Sequence, residues 1–138
     1  MNADVTAFPR ATLARMRVVN LTQKFSEFSE HWSPKVAGEL NGQQVRLAKL
    51  KGEFMWHHHE KEDELFFVVK GTLRMKVREG GSERELVVRE GEFLIMPHGT
   101  EHLPVADEEV HVMLLEPADT LNTGNLRNER TKEKLESV

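Results

Sequence analysis

The 138-residue chain contains no cysteine and no tyrosine. The first absence excludes a disulfide framework, a thiolate metal site and a cysteine nucleophile. The second removes any phenolic general base. No apolar run approaches the roughly 20 residues of a membrane-spanning helix, so no membrane partner is expected. No basic stripe exists either. The 23 acidic and 19 basic residues are mixed along the chain, for a formal net charge of -4, and nucleic acid is not an expected partner. The first ten residues have no apolar core of the signal-peptide kind, and the expected location is cytoplasmic. What remains is 38% hydrophobic and 30% charged, the composition of an ordinary globular protein with one domain and one core.

Residues 1–34 read as an extension. Leu21, Phe25, Phe28 and Trp32 recur at helical spacing with polar residues between them, and Pro34 stops the run. That spacing predicts one short amphipathic helix over about 22–30. Beyond Pro34 the period changes to two. Runs at 35–40 and 43–51 are joined by Asn41-Gly42, a strong hairpin signal. Further runs follow at 53–59, 64–69, 72–79, 84–88, 92–96, 103–105 and 110–115, with turn residues between them, including Ala106 to Glu109. Eight or nine short strands with almost no helix predict an all-β, antiparallel double-sheet barrel over 35–116. The tail, 117–138, loses periodicity: Asn122 to Asn125 is expected to be a turn, and 127–138 a frayed helix or a loose segment.

Chemistry concentrates in two stretches. In the first, His57 and His59 stand two apart, so that in extended chain both project to one face while His58 projects away. A charged loop then leads to Glu64 at the head of an apolar strand. In the second, Gly91 begins a strand, Pro97 and Gly99 force a bend, and His102 is delivered to the following strand, able to face inward. Three imidazoles and a carboxylate suit one divalent transition metal ion: iron, manganese, nickel, cobalt, copper and zinc all accept the set. Open coordination positions would take water or substrate. His98, Glu101 and His111 are candidates for acid–base work near such a site. Arg46, Met55, Phe66 and Met113, with Trp56 and Met96, are candidate pocket walls.

The two stretches resemble the paired motifs of the cupin superfamily. Gly52, His57, His59, Glu64 and Gly71 fit the first motif, with four rather than five residues between Gly52 and His57. Gly91, Pro97, Gly99 and His102 fit the second, where Ala106 replaces a usual asparagine that is not a metal ligand in the family. The 19 residues between Gly71 and Gly91 match the short inter-motif loop of small single-domain bacterial cupins. The resemblance implies a jelly-roll barrel, metal at His57, His59, Glu64 and His102, and a homodimer to which Phe28 and Trp32 contribute.

Fold does not choose a chemistry. The leading expectation is a metal-dependent enzyme of dioxygenase or isomerase type acting on a small organic substrate. The alternative is a module that binds or senses a small molecule without turnover. A storage role is disfavoured by the complete ligand set.

Overall fold

The computed structural model describes residues 8–138. Two short helices, α1 (Arg10–Arg15) and α2 (Leu21–Phe25), precede seven strands: β1 (Lys35–Leu40), β2 (Gln43–Glu53), β3 (Glu64–Lys70), β4 (Thr72–Glu79), β5 (Ser82–Arg89), β6 (Phe93–Met96) and β7 (Glu101–Pro117). All strand pairs are antiparallel. One sheet runs β1-β2-β7-β3-β6, and β4 pairs with β5 and with β7. The 17-residue β7 closes the barrel. Its first part, Glu101 to Val105, pairs with β4, and its second, Val110 to Pro117, pairs with β2. Residues 111–115 also pair with β3.

The sequence predicted a turn at Ala106–Glu109, but the chain stays extended there. The charges that suggest a turn are held on the strand's outer face: Arg74 grips Asp107, and Glu109 bonds His31 and His111. The predicted strand at 53–59 likewise ends at Glu53, leaving His57 with an isolated bridge to His102. The Asn41-Gly42 turn has positive φ at both residues, 50° and 76°, as the favoured two-residue hairpin turn requires.

Inside the barrel, Ala48, Leu50, Phe66, Val68, Leu73, Met75, Val110, Val112 and Leu114 form the main core. The helix expected over 22–30 is confined to Leu21–Phe25. Asn20 caps it, its side chain accepting from the Gln23 N–H at 3.0 Å. Ser26 ends it by donating its hydroxyl to the Gln23 carbonyl. Phe25 packs with Ala37 and Leu47 in a second cluster on the outer face of the sheet. Of the residues expected at a dimer contact, Phe28 joins this cluster, and Trp32 packs against the main core.

The tail is neither a helix nor loose. Residues 118–125 cross the barrel mouth, and the last residues return along the edge strand β1. Val36 N–H donates to Glu136 O, and Val138 N–H to Val36 O. An edge strand leaves backbone groups free, and the tail satisfies them without any periodic pattern of its own.

Candidate metal centre at the barrel mouth

His57 and His59 stand on the segment that leaves β2, Glu64 opens β3, and His102 lies near the start of β7. His57 and His102 face each other across two backbone hydrogen bonds, N–H to O at 3.1 and 2.9 Å. Each imidazole is 0–4% exposed. His57 Nδ1 lies 2.9 Å from the Met55 carbonyl, and His102 Nδ1 lies 2.9 Å from the Thr100 carbonyl. A carbonyl only accepts, so both Nδ1 atoms carry the proton and each Nε2 presents a lone pair. Among the described residues, His59 Nε2 and His102 Nε2 are buried without a hydrogen-bond partner. One nitrogen from each of the three rings lies within 4.8 Å of the others. Glu64 Oε1 stands 3.2 Å from His59 Nε2.

Burial sets the electrostatics. It lowers His57 to about 3, helped by neighbouring His102, and lowers His102 to about 4. It also lowers His59 and raises Glu64. Buried, neutral imidazoles with orphaned nitrogens beside a carboxylate have the donor chemistry that a cation site needs, since an uncompensated lone pair in a core is costly.

Beside the cluster lies a chamber of about 40 Å³ walled by Trp32, Phe54, Phe66 and Leu114, with His57, Glu64 and Glu116 as polar lining. Trp32 stacks on Phe54 at 4.7 Å, and the Arg130 guanidinium lies 5.4 Å from the other ring. A polar crevice of about 410 Å³, lined by His59, Lys61, Asp119 and Arg127, approaches from outside.

The candidates divide. Phe66 lines the chamber, its ring centre 6.2 Å from His102. His111 and Met113 do not, because β7 turns Val110, Val112, Leu114 and Glu116 inward and the alternate residues outward. His111 stacks on Phe25 at 4.5 Å, and Met113 packs in the outer cluster. Glu101, next to His102 and so on the opposite face, pairs with Arg78, which lies over Trp56. His98 is 61% exposed and bonded to Asp63. Met55 serves through its carbonyl, and its sulfur contacts Asn128. Met96 belongs to the core.

Arg46 is inward and buried, its donors taken by the protein itself. Its guanidinium holds Glu116 at 2.5 Å and the carbonyls of Thr120 and Ala118 at 2.9 Å, and its Nε donates to Gln44. Glu116 is pushed well above the usual carboxyl range by burial and by Glu64, against the pull of Arg46. Arg46→Ala is expected to destabilise the fold by about 3–5 kcal/mol, because it leaves Glu116 and the carbonyls of Thr120 and Ala118 without their buried donor. The double change Arg46→Met with Glu116→Leu should recover most of that. Urea titration of the three proteins checks both outcomes, and a near-silent single change would refute the strut role. Glu116 escaped the sequence reasoning although β7 parity, once known, marks it.

Comparison with known proteins places this geometry. The Cupin domain model matches residues 44–116. Protein YdbB of Bacillus subtilis (strain 168), itself uncharacterized, is 34% identical over 86 residues, covering 62% of this chain and 74% of that one. The 3-hydroxyanthranilate 3,4-dioxygenase of Neurospora crassa is 35% identical over 69 residues, 48% of this chain. The chain spans only 38% of that enzyme's length. A cupin-2 domain containing protein from Shewanella frigidimarina NCIMB 400 superposes with TM-score 0.68 at 43% identity, covering 72% of this chain and 94% of that one. Hydroquinone 1,2-dioxygenase from Sphingomonas sp. TTNP3, crystallised with 4-hydroxybenzoate, superposes at 0.66 with 17% identity over 78% of this chain and 34% of its own, a likeness of fold alone. With the family model matched over more than half its length, across both stretches that bear the histidine cluster, the chain belongs to the cupin family.

Proposed function

We propose that this cupin holds one divalent transition metal ion through His57, His59, Glu64 and His102 and uses it as an enzyme on a small organic substrate. Dioxygenase chemistry is the favoured type, with isomerase chemistry second. The carrying observation is the pair of buried, unpartnered Nε2 atoms of His59 and His102 beside Glu64. A metal bound there would polarise or activate an oxygen ligand at its open positions. The residues themselves set the surroundings: Phe66, Leu114, Phe54 and Trp32 exclude water, while Glu64 and Glu116 give the chamber an acceptor-rich polar end. Sequence likeness to 3-hydroxyanthranilate 3,4-dioxygenase supports aromatic ring substrates.

The test begins with elemental analysis of protein purified without added metal. Oxygen uptake is then followed with aminophenols, hydroquinones and catechols, with iron and with the other first-row metals. Turnover that needs metal is the expected result. Saturable ligand binding without product would favour the sensing alternative, and protein that takes up no metal would end the proposal.

The chamber is smaller than the roughly 150 Å³ of a cavity known to take benzene, so a ring enters only if a wall moves, and we propose Trp32, stacked on Phe54, as that wall. Trp32 holds a φ of 57°, a strained conformation for a bulky residue. Trp32→Ala is therefore expected to speed association of a small aromatic ligand several-fold in stopped-flow fluorescence, and an unchanged rate would count against entry at this point.

A homodimer is also proposed. Phe93 and Ile95 of β6 are 61% and 52% exposed, on a strand paired with β3, which is the sort of apolar edge that a second copy covers. Light scattering that gives the mass of one chain at micromolar concentration would refute it.

A further inference from the structure

The tripeptide that carries two of the three clustered histidines belongs to no named strand. One edge of it is secured by the barrel: His57 and His102 exchange backbone hydrogen bonds, and Gly99 N–H donates to His59 O at 2.7 Å. His58 faces the other way, and its N–H and C=O are taken by a single residue from far along the chain. Asn125 Oδ1 accepts from His58 N–H at 2.9 Å, and Asn125 N–H donates to His58 O at 2.9 Å. A neighbouring strand would make the same double contact. Gly124 permits the approach. A Cβ there would drive into the His58 carbonyl oxygen and stand 3.1 Å from His57 Cδ2, and the backbone φ of 58° is one that L side chains rarely adopt.

The segment leading to Asn125 is itself anchored. Arg46 holds the carbonyls of Ala118 and Thr120 at its start. At its end the fully buried Thr123 bonds the Leu126 carbonyl and the Thr131 hydroxyl at 2.6 and 2.7 Å. These struts make 118–125 a fixed strap across the barrel mouth.

We infer that Asn125 is a positioning residue for the metal histidines, acting through the His58 backbone. The inference rests on the metal proposal above. In extended chain the side chains of 57 and 59 share a face opposite that of 58. Fixing both polar groups of His58 therefore fixes the direction in which His57 and His59 point. Asn125 lies outside the matched residues 44–116, so the barrel motifs alone do not supply this contact. Partners of this kind orient ligands without touching the ion.

The test is titration of the full-length, metal-free protein with cobalt(II), reading affinity by calorimetry and ligand geometry by the visible absorption of the bound ion. Asn125→Ala is expected to weaken cobalt affinity by about 10–100-fold and to shift the visible bands. Asn125→Asp keeps the acceptor for His58 N–H, and it is expected to bind within about threefold of wild type. Gly124→Ala, which pushes the strap off His58 while retaining Asn125, should reproduce the loss. Glu136→Ala serves as the control. It loosens the tail at Lys35 without touching His58, and should leave affinity and spectrum unchanged. Wild-type affinity in both Asn125→Ala and Gly124→Ala would overturn the inference while leaving the metal proposal intact. A loss in Glu136→Ala as large as that in Asn125→Ala would overturn it too, by reducing the effect to general stability. Wild-type protein that takes up no cobalt would remove the metal proposal and this inference together.

Discussion

His57→Ala and His102→Ala are each expected to eliminate stoichiometric metal binding, and with it any turnover, while the unloaded barrel still folds. Losing an outer partner of a ligand costs about 10–100-fold in affinity, and losing a ligand must cost more. Survival of the fold follows from the energetics of the empty cluster. Burial lowers both imidazoles, and His102 Nε2 has no partner, so these groups are not net sources of stability in the unloaded protein. Alanine leaves a cavity, yet it also removes a buried polar atom. Glu64→Gln keeps shape and loses charge, so it should weaken binding less than either histidine change. Metal content by elemental analysis, with far-ultraviolet dichroism for the fold, separates the outcomes. Folded His102→Ala protein that still carries one equivalent of ion would disprove the assignment of this ligand.

Much of this arrangement is legible before any coordinates, and the parts that are not share a physical reason. Strands β1, β3 and β4 follow period-two runs whose turns carry Gly or Asn, because each strand has one face in the core and the turns need positive φ. The histidines at 57, 59 and 102 come together because local alternation and a forced bend both act over a few residues. The parity of β7 is different. Met113 and Leu115 are as apolar as Val112 and Leu114, since α2 covers part of the outer face and leaves the alternation weak. Which set points inward is then decided by pairing with β2 and β3, which local pattern does not encode. The same pairing turns Arg46 inward and opposes it to Glu116, 70 residues away. Asn125 was invisible for a further reason. Its contact is made by a turn-like segment with no period, and its partner is backbone, so no side-chain chemistry in the sequence points to it.

The metal-free protein is expected to hold its stability with only a shallow loss from about pH 6.5 to 4.5, and then to lose it more steeply below 4.5. His57, His59 and His102 are all lowered from 6.5 by burial, the first to about 3 and the last to about 4. Below 6.5 the unfolded chain takes up three protons that the folded chain refuses, so stability falls as pH falls. Glu64 and Glu116 act oppositely. Both are raised above 4.5 by burial, so down to about 4.5 the folded chain holds protons that the unfolded chain lacks. With these two sets opposed, the net fall in that window is shallow. Below about 4.5 the unfolded carboxyls protonate too and the opposition fades, so the fall steepens, although His102 near 4 and then His57 near 3 take up their own protons and keep it below the full three-proton slope. Against a total stability of about 5–15 kcal/mol, the loss on that limb is a substantial fraction. Bound metal removes the Glu64 proton from the folded side, so the loaded protein should lose stability faster between 6.5 and 4.5, and the two curves should converge. Urea titrations at half-unit steps of pH, with and without metal, measure both slopes. A metal-free curve that stays level from 4.5 to 3.5 would mean that the imidazoles are not held neutral in the core.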